Sequence, residues 1–133
     1  MSKKIIWPLL GVGIVVLIIS VLFKSSIIPR VQVSDQVIRG GQVTIAEVDA
    51  VASSWLVIQT ETNGTPGPVI GYTKINQGTN KNVVVQIDAQ KSTPKLFAMI
   101  HEDNGEKGKF DFPNNDMPLL YKGEMVSELF TVR

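Results

Sequence analysis

The stretch Lys95-Leu96-Phe97-Ala98-Met99-Ile100-His101 decides how this chain is read. Leu96, Ala98 and Ile100 fall on one face, and Phe97, Met99 and His101 on the other. A period of two is the mark of a β-strand, whose successive side chains point to opposite sides of a sheet. Pro94 precedes the run, and Asn104-Gly105 follows it, a dipeptide suited to a tight hairpin turn. The same signal recurs on both sides. Upstream, Val31 and Val33 alternate, then Val37-Ile38, and Gly40-Gly41 makes a turn. Val43 and Ile45 share a face opposite Gln42, Thr44 and Ala46, and Trp55–Thr60 is rich in β-branched and aromatic residues. Asn63–Pro68 reads as a turn cluster, Val69–Ile75 as an extended run, and Asn76–Asn82 as a polar turn. Val83, Val85 and Ile87 alternate with Val84, Gln86 and Asp88. Downstream, Phe110 and Phe112 alternate up to Pro113, and Met125–Val132 is the last strand candidate.

Seven or eight short strands at intervals of about ten residues, with turn chemistry between them, predict a seven- to eight-stranded antiparallel β-sandwich of immunoglobulin- or cupredoxin-like form. After Pro29 no stretch keeps a helical period. Asn114–Gly123 lacks strand character but carries Met117, Leu119, Leu120 and Tyr121. It is too apolar for a free loop, so it either crosses one end of the sandwich or touches a partner.

The N-terminus is of another kind. Ile5–Phe23 contains no charged side chain and is flanked by Lys3-Lys4 and Lys24. As a helix it would span roughly 28 Å at about 1.5 Å per residue, close to the hydrocarbon thickness of a bilayer. A single span in lipid must satisfy its own backbone, which demands a helix. Pro8 falls in the first turn, and Trp7 near an interface. A cleaved signal peptide would need small residues at the cleavage site, where Val21 and Phe23 stand. A pilin-type leader fits the layout, but Lys3-Lys4-Ile5 lacks the small residue that follows the basic pair, and no glutamate lies early in the apolar run. The expected organisation is a cytoplasmic tail (residues 1–4), a retained transmembrane helix (5–23), a linker (24–30) and an extracytoplasmic domain (31–133). The expected location is the cell membrane, single-pass, with the short basic tail inside.

Composition narrows the function. The whole chain carries a formal charge of +1, and Lys3 and Lys4 account for it, so the remainder is nearly neutral. No basic stripe offers a nucleic-acid footprint. The chain has no cysteine and one histidine, so a blue-copper centre, which needs a thiolate and two imidazoles, cannot be built from it alone. His101, Glu102, Asp103 and Glu106 are the candidate metal ligands, and calcium could also draw on Asp111 and Asp116. The competing reading is a strand end followed by a solvated turn. No serine sits in a nucleophile motif, so no enzyme and no cofactor are expected. Tyr72, Met117, Leu119, Leu120 and Tyr121 are the candidate partner-binding residues, while Trp55 reads as core.

Several motifs also carry a resemblance. They are Val33-Ser34-Asp35-Gln36, Trp55-Leu56-Val57-Ile58, Pro66-Gly67-Pro68-Val69-Ile70-Gly71-Tyr72, Leu96–His101 with Asp103 and Gly105, and Phe112-Pro113 with Asp116 and Pro118. Over Val33–Leu120 the chain resembles a family of uncharacterised exported domains of archaea and some bacteria. The resemblance implies an extracytoplasmic β-sandwich, sometimes found near copper-protein domains of similar shape, and brings no assigned activity. Asn114 stands where a glycine often follows the Phe-Pro pair, and Met125–Val132 lies outside the resemblance. The function expected is therefore a membrane-anchored interaction or structural module, an accessory subunit of a membrane or cell-envelope assembly, with the lipid bilayer and other membrane proteins as partners. The alternatives are a pilin-like filament subunit and a metal- or ligand-binding domain centred on His101.

Overall fold

The computed structural model describes residues 26–133. The expected tail, the Ile5–Phe23 span and the start of the linker lie outside the described residues. Among the described residues no helix is long and apolar enough to cross a membrane.

The strands are β1 (Arg30–Gln32), β2 (Gln42–Ala50), β3 (Ser54–Thr62), β4 (Thr65–Ile75), β5 (Gly78–Gln86), β6 (Lys95–Glu102), β7 (Leu120–Tyr121), β8 (Glu124–Met125) and β9 (Ser127–Thr131). One sheet has the order β1-β2-β5, a second the order β4-β3-β6-β9, and β7-β8 is a small separate ribbon. Every pairing between strands is antiparallel. The two larger sheets face one another across a single apolar core. Val43, Ile45, Val48 and Val85 come from the first, and Leu56, Ile58, Leu96, Ala98, Ile100 and Phe130 from the second. These are the alternating positions that the strand pattern assigns to one face.

Both flanks between the sheets are closed. On one, Gln36 bonds through its backbone to Thr131 and Arg133, while its side-chain amide pairs with the backbone of Thr44 in β2. On the other, the Asp88 N–H donates to the Ile70 carbonyl (2.8 Å), so the end of β5 rests on β4. Gly71 permits this approach, because a Cβ there would lie 2.2 Å from the Gln86 carbonyl oxygen. Gly40 and Gly41, at φ +59° and +69°, make the turn into β2.

Five expectations need correction. Of the Asn63–Pro68 cluster, only Asn63-Gly64 turns, and Pro66-Gly67-Pro68 runs within β4. Strand β4 lies at a sheet edge, where a residue without an N–H leaves no ladder bond unmade, and its register with β3 shifts at Gln59. Asn76–Asn82 is largely strand, since β5 begins at Gly78. Asn82 keeps a left-handed φ of 51°, and the β2–β5 register has no Ala46–Asn82 pair. Past that point the buried side chains of β2 change from Val43 and Ile45 to Val48 and Ala50. Asn104-Gly105 makes no two-residue hairpin, and Phe110 and Phe112 are not in a strand. Both belong to a long loop after β6, which the Asp116 carboxylate holds folded back over that strand. Finally, the last strand candidate divides: Met125 ends β8, and β9 completes the four-stranded sheet beside β6.

Candidate functional site

The second face of Lys95–His101 is where the structure concentrates its polar and aromatic chemistry. Met99 and His101 are fully buried although they point away from the main core. Beside them on the outer face stand Trp55, Val57 and Gln59 from β3, and Tyr72 and Lys74 from β4. The loop of residues 103–119 folds back over this face and turns it into a second, smaller interior.

Phe110 and Phe112 are the lid of that interior. The Phe110 ring stacks on Tyr72 at 4.3 Å between centroids and meets Trp55 edge-on at 5.5 Å. The Phe112 ring meets His101 edge-on at 4.8 Å. Asp116 holds the loop in this shape. Its buried carboxylate accepts the N–H groups of Asn104 (2.9 Å), Gly105 (3.2 Å) and Asp111 (2.8 Å). Three backbone donors directed at one carboxylate outweigh the local turn preference of Asn104-Gly105, because bonds to a charged acceptor are about twice as strong as neutral ones.

His101 is fixed on both sides. Its Nδ1–H donates to the Asp116 carbonyl at 2.7 Å, and Nε2 lies 3.2 Å from the Gln59 Oε1. Burial pushes the imidazole below the ordinary histidine pKa, against the opposing pull of the Asp116 carbonyl and carboxylate. Asp103 is buried as well. One of its carboxylate oxygens takes the Lys74 ammonium and the Gly108 N–H (3.0 Å), and Lys74 also lies over the Trp55 ring at 4.6 Å. The Lys74 hydrogen bond, followed by that from Gly108, holds the Asp103 carboxyl below its usual range. Asp103 Oδ1 and Trp55 Nε1 are buried without hydrogen-bond partners.

The proposed metal ligands are therefore not brought together. His101 faces inward, Asp103 is engaged by Lys74, Glu102 accepts from the Asn104 amide (2.8 Å), and Glu106 lies 3.9 Å from Lys109. Among the described residues no group of three or more histidine, aspartate or glutamate side chains is placed to hold a metal ion. The candidate partner residues also divide. Tyr72 is half exposed on the aromatic stack, and Leu119 packs onto the main core. Met117, Leu120 and Tyr121 remain exposed. A pocket of about 130 Å³, lined in part by Ser53, Ser54, Glu102, Asp103, Asn104 and Lys107, opens beside the loop. It is smaller than the roughly 300–1,000 Å³ of a typical small-molecule site. Sequence reasoning missed Gln59 and Lys74 as partners in this cluster. The one available signal was a glutamine inside the apolar run of β3.

The described residues are thus mainly β, two facing antiparallel sheets, with a loop sealing the outer face of the β4-β3-β6-β9 sheet. A family model described as a domain of unknown function (DUF7282) matches residues 29–133, and the chain belongs to that family. The match runs through β9, so the family domain includes the last strand, which lay outside the Val33–Leu120 resemblance. No curated protein and no solved structure matches the chain.

Proposed function

We propose that this chain is a membrane-anchored, extracytoplasmic interaction module without catalytic activity, an accessory subunit of a membrane or cell-envelope assembly. The sandwich on this reading is of the immunoglobulin or cupredoxin kind. One observation carries the binding role: Tyr72 presents half its surface to solvent while its ring is held by Phe110 beneath and Trp55 at its edge. A large amphipathic ring fixed before binding loses little conformational freedom on contact, which is the property of an interface hot spot. His101 and Asp103, the side chains best suited to chemistry, are taken up in holding the loop instead. The apolar, uncharged Ile5–Phe23 supports anchoring.

The test is purification of the full chain from membranes in mild detergent, with mass spectrometry of whatever accompanies it. The expected outcome is a defined assembly that Tyr72→Ser dissolves, with the melting temperature of the variant kept within a few degrees. A chain that migrates as a lone monomer in gel filtration counts against the proposal.

A further inference from the structure

We infer that the end of the sandwich from which the N-terminal chain departs is a lipid-docking face, seated on the bilayer that holds Ile5–Phe23. The inference rests on the anchoring proposed above and adds where the domain meets the lipid.

The register identifies that end. Arg30 pairs with Asp49, Ala50 with Gly78, and Ser54 with both Ile75 and Glu102. The β2–β3 and β4–β5 turns, the start of the 103–119 loop and the first residues of the domain therefore lie together. Large apolar side chains are exposed there: Ile28, Val51, Met117, Leu120, Tyr121 and Met125. The β7–β8 ribbon stands directly beside the departing chain, since Tyr121, Glu124 and Met125 line one groove with Pro29, Arg30 and Val31. The turns of the opposite end, Gly40-Gly41, Asn63-Gly64 and residues 88–93, are made of polar residues and glycine apart from Ala89.

Chain length selects the occupant. Lys24–Pro29 is six residues, which reach at most about 20 Å even when fully extended. The nine-residue strands β2 and β3 are roughly 30 Å long, so the far end cannot take the near end's place at the surface. The ribbon has the composition of an interfacial anchor. Leu120 and Met125 supply apolar surface, Tyr121 an amphipathic ring, and the Lys122 ammonium lies 5.5 Å over that ring, on a stem long enough to reach the headgroups. Arg30, near Glu47 and Asp49 at 3.6 and 3.7 Å, and Glu124 nearby keep the face of mixed charge. The contact is accordingly with the apolar and interfacial layer rather than with anionic lipid in particular.

The chain has no cysteine, so a single introduced thiol can be labelled. The full chain carrying Leu120→Cys, or Lys91→Cys at the far end, is labelled with a fluorophore and reconstituted into phosphatidylcholine vesicles with brominated acyl chains. Quenching by bromolipid at position 120 is expected to exceed that at 91 by about threefold or more, with iodide showing the reverse order. Tyr121→Ser combined with Met125→Ser is expected to return iodide access to position 120. Equal quenching at the two positions, with the chain still resisting alkaline carbonate extraction, overturns docking and leaves anchoring intact. Shielding from iodide without bromolipid quenching assigns the face to a second copy of the chain and also overturns it. Release by carbonate overturns anchoring, and docking with it.

Discussion

His101 is enclosed by Phe110, Phe112, Gln59 and the Asp116 carbonyl, and burial is the larger of the forces on its protonation. In the unfolded chain the ring takes a proton near its ordinary value of 6.5, whereas in the fold it does so only at lower pH. Below that ordinary value the unfolded state therefore binds more protons, and stability falls with acid. The expected outcome is a melting temperature that declines from pH 7 to pH 5 and a flatter slope in His101→Gln over the same range. Calorimetry across that range checks it, and an unchanged slope in the variant removes His101 as the cause. Asp103 acts lower on the scale. Its depressed carboxyl contributes stability above the ordinary carboxylate value, and that stability is lost as pH falls through the folded value.

Strand β4 is an element whose glycines have distinct duties. At Gly71 an added methyl would meet the backbone carbonyl of Gln86, and at Gly67 it would meet the Thr60 hydroxyl at 2.4 Å. A carbonyl in a strand cannot move without carrying β5 with it, while a threonine side chain can change rotamer. Gly71→Ala is therefore expected to destabilise the fold by about 1–3 kcal/mol, and Gly67→Ala by less. Urea denaturation of the two variants checks the order, and a reversed order means that β4 and β5 separate more easily than their contact implies. The same strand explains the misread prolines. Pro66 and Pro68 look like turn residues locally, and the edge position of β4 makes them acceptable in a sheet.

At the level of the molecule the two sheets share the main core, and the smaller interior under the 103–119 loop belongs to one of them alone. Leu56 is fully buried in the central strand β3 and belongs to that core. Leu56→Ala is expected to cost about 2–5 kcal/mol. Slowly exchanging amides of β2 and of β6 should lose protection together, although the substitution lies in only one sheet. Loss confined to β6 would show that the sheets unfold separately.

The alternation of Leu96, Ala98 and Ile100, of Val43 and Ile45, and of Leu56 and Ile58 was enough to establish an antiparallel β domain, its central strands and most of its core. These are short-range features, and a strand's period is written into consecutive residues. The uncharged run Ile5–Phe23 was likewise legible in itself as apolar. The fate of the other face of β6 was not. Phe97, Met99 and His101 share that face, and a loop returning from residues 103–119 buries Met99 and His101 while Phe97 stays half-buried. That loop depends on Asp116 reaching back to the N–H groups of Asn104 and Gly105. Such a contact between residues distant along the chain leaves no periodic trace. The tertiary structure therefore decided that His101 and Asp103 hold a loop in place, and that Tyr72 stands supported and exposed.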